Sequence, residues 1–206
     1  MLTYQKSFLK SFLNSEIQSK TDAREHYFVD VLVLVIQHRF AGRRRAVELL
    51  FRKKMRSETF TTELVQETFQ LYHCVLKNYF EQLCAIADSL LLTSDSLVIA
   101  YGSVLYQEMF IHFDEYYQQE VVQALVQHVC CHGHRTSSPD SPATAALIVL
   151  QNLAENKWEQ LIRFSAFVVT MLEYIDCMAL PQVKRVMELL ANLAYGFAVT
   201  DESKKR

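Results

Sequence analysis

Residues that break helices are scarce in this chain. Its 206 residues include 4 glycines and 3 prolines, while hydrophobic residues make up 50%. An all-β protein of this length needs a tight turn every few residues, and those turns draw heavily on Gly and Pro. The chain is therefore predicted to be all-α, built of long helices with short connections. Its apolar content excludes a disordered chain, and its length suffices for a sizeable core.

Apolar residues recur with helical period along nearly the whole sequence. A first helix is expected around Tyr4 to Ile17, with Phe8, Leu9, Phe12 and Leu13 on one face. A second, Arg24 to Arg39, is apolar on most sides and reads as deeply buried. Arg45 to Met55 follows. Thr61 to Leu92 is long enough for two helices, with a break near Asn78. Ser94 and Asp95 can cap a helix that reaches Phe113. Between Phe113 and Cys130, Val121, Val122, Leu125, Val126 and Val129 fall on one face, with Asp114 placed to cap the start. Ala143 to Glu155, Trp158 to Ile175 and Pro181 to Tyr195 complete about nine helices, Pro181 suiting a first turn. Paired helices of unequal length, with no exact repeat, point to an irregular α-solenoid over residues 1–195. A compact bundle is the alternative. Residues 132–142 form the one expected loop, and 196–206 read as a polar tail.

Chemistry-bearing groups are few. Arg39, Arg43, Arg44, Arg45, Arg52, Lys53, Lys54 and Arg56 are opposed only by Glu48, so this window carries +7 in a chain of net charge -2. Such a patch can bind a phosphate backbone by releasing counterions, or can simply be a solvated face. Phe40 and Phe51 are the aromatic residues within it, too few to imply base stacking. His128, Cys130, Cys131, His132 and His134 offer soft ligands, but zinc wants four donors around a tetrahedron and no second half-site follows. No metal or cofactor is expected. Ser138-Pro139 and Ser141-Pro142 are read first as turn chemistry and second as kinase acceptors. Trp158 is expected to anchor a core or groove. Cys74, Cys84 and Cys177 are expected as small core residues among five reduced thiols. The sequence has no Gly-rich phosphate loop, nucleophile elbow or His-Glu-x-x-His, so no enzyme is expected. Neither a membrane-spanning apolar run nor a signal peptide is present.

The run from Phe113 to Cys130 resembles a segment of the Fanconi anaemia group D-two family, ubiquitin-accepting scaffolds of DNA repair. Arg52-Lys53-Lys54-Met55-Arg56-Ser57, Thr68-Phe69 through Lys77, Ala87 to Leu91, Gly102 to Tyr106, Leu172 to Asp176 and Leu180 to Arg185 follow in the family's order. The likeness extends from roughly Tyr27 to Tyr195. It implies a nuclear, non-enzymatic scaffold of interstrand-crosslink repair. The family pairs with a paralogous solenoid, the Fanconi anaemia group I protein, and encloses duplex DNA. Exposed side chains on Trp158 to Arg185 are the candidates for that pairing. A general helical-repeat adaptor without DNA contact is the competing class. Family members are much longer, so the chain reads as a fragment or truncated product. In one respect it departs from them. The family's ubiquitin-accepting lysine aligns with Phe197, which has no amine, and Lys204 and Lys205 do not match the motif. No acceptor is expected in this chain.

Overall fold

The computed structural model describes residues 61–132 and 141–203. The three helices expected before Met55, and the basic window with them, lie outside the described residues. Within them every regular element is helical, as the scarcity of turn formers predicts.

Helices α1 (Thr62–Leu76) and α2 (Phe80–Leu91) are separated by one 3-10 turn at Lys77–Tyr79, the expected break. Tyr79 leaves the helical basin at φ -118°, ψ 23°, and redirects the chain. Helix α3 (Ser96–His112) starts on Asp95, whose extended backbone and carboxylate form an N-cap. The carboxylate accepts the Leu97 N–H at 3.1 Å, satisfying one orphan donor of the first turn. Val98, Tyr101, Leu105, Tyr106, Met109 and Phe110 are all buried. A helix apolar around its circumference belongs in the middle, and α3 packs on α1, α2, α4 and α5. Gly102 makes the α2 contact possible. A Cβ there would stand 3.0 Å from Leu90 Cβ and 3.1 Å from the Ala87 carbonyl oxygen.

Helix α4 (Glu115–His132) buries Val121, Val122, Leu125, Val126 and Val129, the face its sequence period marks. Asp114 differs from its expected role. Its carboxylate pairs with the Lys77 ammonium across the α1–α2 turn, and its backbone carbonyl accepts the Gln118 N–H. Buried Gln118 closes the preceding helix instead. Its amide donates to the carbonyls of Phe110 at 2.9 Å and Phe113 at 3.0 Å. Carbonyls at a helix end need such partners once water is excluded.

Helix α5 (Pro142–Asn156) is capped by Ser141, whose hydroxyl accepts the Thr144 N–H at 3.2 Å. Ser141 is 3% exposed. The Ser141-Pro142 pair is thus cap chemistry, not an open kinase site. Ser138-Pro139 lies outside the described residues. The single helix expected from Trp158 to Ile175 is broken into α6 (Trp158–Leu161), a 3-10 turn at Ile162–Phe164, α7 (Ala166–Glu173) and a second 3-10 turn at Ile175–Cys177. The tighter bonds Ser165 N–H to Ile162 and Val168 N–H to Ser165 rotate the segment, so that Leu161, Phe167 and Met171 all reach the core. Helix α8 (Leu180–Ser203) has Pro181 in its first turn and runs through Gly196 without interruption.

Helices α1, α3, α5 and α8 contact one another in succession, with α2 on α3, α4 on α5 and α7 on α4. A single hydrophobic core runs from Leu64 to Leu193.

Candidate interaction surface

The described helices are acidic. Among the described residues the Lys and Arg are Lys77, Lys157, Arg163, Lys184 and Arg185, against 16 Asp and Glu. Such a surface repels a polyanion. The expected DNA-contact window, Arg39 to Arg56, lies outside the described residues.

Helices α6 to α8 form the face on which sequence reading placed its docking candidates. Large apolar side chains stand open there: Val169 at 59%, Leu180 at 80% and Tyr195 at 75% exposure, with Leu172, Tyr174 and Met187 beside them. Their positions follow from the buried stripe of α8, in which Gln182, Val186, Leu189 and Leu193 face α5 and leave the opposite side uncovered. Arg185 donates to the Gln151 side chain at 3.1 Å and Gln151 donates to Glu188, which fixes the α5–α8 register. Between α4 and α7 runs a groove of about 660 Å³, floored by Val122, Val126 and Phe167 and edged by Gln119, Arg163 and Tyr174.

Trp158 is the expected anchor, and Gly196 is its seat. A Cβ on Gly196 would come within 2.8 Å of the indole Cδ2. Glu155, Asn192 and Tyr195 frame the same shallow cavity. Phe197 lies one residue further along α8, within the helical backbone.

Sequence reading missed a polar network inside the fold. Asp88 of α2 accepts the Tyr106 hydroxyl of α3 and meets His128 Nε2 of α4 at 2.7 Å. Burial, then the Asp88 carboxylate, holds the Tyr106 hydroxyl well above the usual tyrosine range. One turn away, burial pushes the Cys84 thiol up to about 12, with Asp88, Glu120 and Glu81 adding to it. No spacing rule joins residues 88, 106 and 128; only the tertiary fold brings them together. His128 thus serves this network, and Cys130 is buried while Cys131 is exposed. The remaining candidate ligand, His134, lies outside the described residues. Among the described residues no group of three His, Cys, Asp or Glu side chains could hold a metal ion. Nor, among them, is any helix long and apolar enough to cross a membrane.

The cysteine expectation needs correcting. Cys74 and Cys177 are exposed, and Cys84 is half-buried. Cys74 falls on the outer face of α1, and Cys177 lies in the 3-10 turn that replaces the expected helix end.

The architecture is that of an all-α protein whose distinctive features are faces and grooves between helices. A family model described as "Fanconi anaemia protein FancD2 nuclease" matches residues 1–205. The chain belongs to that family. It is 31% identical over 196 residues to the Fanconi anemia group D2 protein homolog of Mus musculus, covering 95% of this chain and 13% of the relative. To the Fanconi anemia group D2 protein of Gallus gallus it is 30% identical over 194 residues, again 13% of the relative. The Drosophila melanogaster homolog is 22% identical over 165 residues. The chain thus spans about an eighth of the length of these relatives, 13% for the first two.

Proposed function

We propose that this chain is a scaffold segment of a nuclear protein that repairs DNA interstrand crosslinks. It forms part of an irregular α-solenoid, pairs along its side with the paralogous Fanconi anaemia group I protein, and contacts duplex DNA. The observation that carries this reading is membership of the FancD2 family along 1–205. The +7 window at Arg39 to Arg56 supplies the DNA contact through phosphate charge, without reading sequence. The open apolar face of α7 and α8 supplies the protein contact, since exposed aromatic and aliphatic side chains are typical anchors. Successive contact of α1, α3, α5 and α8 suits a solenoid, in which each helix pair buries its neighbour's face.

Duplex DNA binding by the full chain, measured across salt concentrations with and without the group I protein, tests this reading. Affinity that falls steeply with salt and rises with the partner supports it. Partner binding without any DNA binding selects the second reading, a protein-binding adaptor, which the acidic described helices favour. The word nuclease in the family description makes one further arm necessary: the same samples, given magnesium or manganese, are scored for DNA cleavage. Cleavage lost on mutation of this chain overturns the non-enzymatic reading.

Ubiquitin conjugation belongs to the same proposal. With Phe197 at the acceptor position, the chain offers no amine there. Reconstitution with the family's ligase, conjugating enzyme, partner and DNA is expected to leave it unmodified by mass spectrometry. One stoichiometric ubiquitin on Lys204 or Lys205 overturns this.

A further inference from the structure

Between α1 and α3 lies a set of titratable side chains that no proposed role uses. The rings of His73 and His112 stack with centroids 5.7 Å apart at 26°. Phe69 packs against the His112 ring from within the core. Glu108, one turn earlier on α3, places Oε2 3.1 Å from His112 Nε2, and its carboxyl is nearly closed to solvent. Gln66 of α1 hydrogen-bonds the same carboxyl. Lys157, at the end of α5, adds a positive charge near His112. The neighbouring Lys77 and Asp114 neutralise each other as an ion pair. His73 Nδ1 is buried and finds no hydrogen-bond partner.

We propose that the His73–His112 stack, with Glu108 beside it, is an acid-operated latch that holds α1 on α3 near neutral pH and releases it on acidification. Two neutral imidazoles stack without penalty. Two imidazolium rings at this distance repel, and Lys157 strengthens the repulsion. Among the described residues Glu108 opposes it. A charged His73 must also carry a proton on Nδ1, which has no acceptor there, and a buried donor left unpaired is costly.

The signs of the shifts agree with the geometry. Burial, then His73 and Lys157, lowers the His112 pKa below the ordinary 6.5. Its stabilising effect is therefore full above about pH 6.5 and is lost as pH falls through the lowered value. Burial raises the Glu108 pKa above the ordinary 4.5. Glu108 acts in the opposite sense: it favours the fold below about pH 4.5 and loses that effect as pH rises through the raised value.

Amide hydrogen exchange of the full chain at pH 7.5 and 5.5, corrected for intrinsic rates, tests the latch. Peptides of α1 are expected to open more often at the lower pH, by up to about tenfold, because pH 5.5 lies one unit below the ordinary histidine value. Peptides of α4 and α5 should keep their protection. His73→Phe retains a stacking ring without a charge and should weaken the pH dependence, leaving the part that burial and Lys157 impose on His112, whereas Glu108→Gln should steepen it. Equal α1 protection at both pH values, or unaltered pH dependence in His73→Phe, overturns the proposal. Should a variant fail to fold by circular dichroism, ring-proton titration of the unaltered chain by NMR decides. Linked titration of the two histidines supports the latch, and independent titration overturns it.

Discussion

Single atoms decide several contacts in this protein. Gly102 sits where α2 and α3 touch, with Leu90 Cβ, the Ala87 carbonyl and the Leu91 nitrogen all 3.0–3.1 Å from where a Cβ would go. Two of these three are backbone atoms, which cannot rotate away. Gly102→Ala is expected to destabilise the fold by about 1–3 kcal/mol as an overpacked core position. A lower denaturant midpoint with unchanged slope would register it. Cys84 offers a second check at this scale. A thiol pushed up to about 12 holds almost no thiolate at pH 8, and the side chain is half-buried. Iodoacetamide at that pH should alkylate exposed Cys74, Cys131 and Cys177 well before Cys84, as read by peptide mass spectrometry. Equal rates would mean that the Asp88 environment is open.

At the scale of elements, local chemistry sets where helices begin and tertiary contacts set where they bend. Asp95 and Ser141 each place a side-chain oxygen on the first turn of α3 and α5. Asp95→Ala and Ser141→Ala should each cost about 1 kcal/mol, measured as a loss of unfolding free energy. Ser141 should fall toward the larger end of the usual capping range, because its hydroxyl also bonds the Thr144 side chain in a buried site. The caps were legible in the sequence because they need only a few adjacent residues. The breaks between Trp158 and Cys177 were not. Nothing in Leu161 to Ser165 forbids a continuous helix. The 3-10 turns arise because Leu161, Phe167 and Met171 must all reach a core already defined by the other helices.

For the whole molecule the dominant fact is separation of charge. The window Arg39 to Arg56 carries +7, while the described residues include 16 acidic side chains against five Lys and Arg. Under the proposed function, replacing Arg43, Arg44 and Arg45 together by Ala should weaken duplex binding alike for all sequences. It should also reduce the slope of log affinity against log salt by up to about 3. Unchanged slope would assign the cluster to solvent or to a protein partner.

How much could be read beforehand follows from the range of each interaction. The all-α class, the break at Asn78, the Asp95 cap and the buried valine face of α4 depend on neighbours within a turn or two, so their signals survive in the linear order of residues. Family membership was legible for a related reason, since ordered matches accumulate along the chain. The Asp88–Tyr106–His128 network, the ring pair of His73 and His112, the seat of Trp158 on Gly196 and the exposure of Cys74 and Cys177 were not. Each joins residues tens of positions apart, or depends on which side of a helix its neighbours cover. Helix–helix packing settles those questions, because it chooses among faces that the local pattern leaves equivalent.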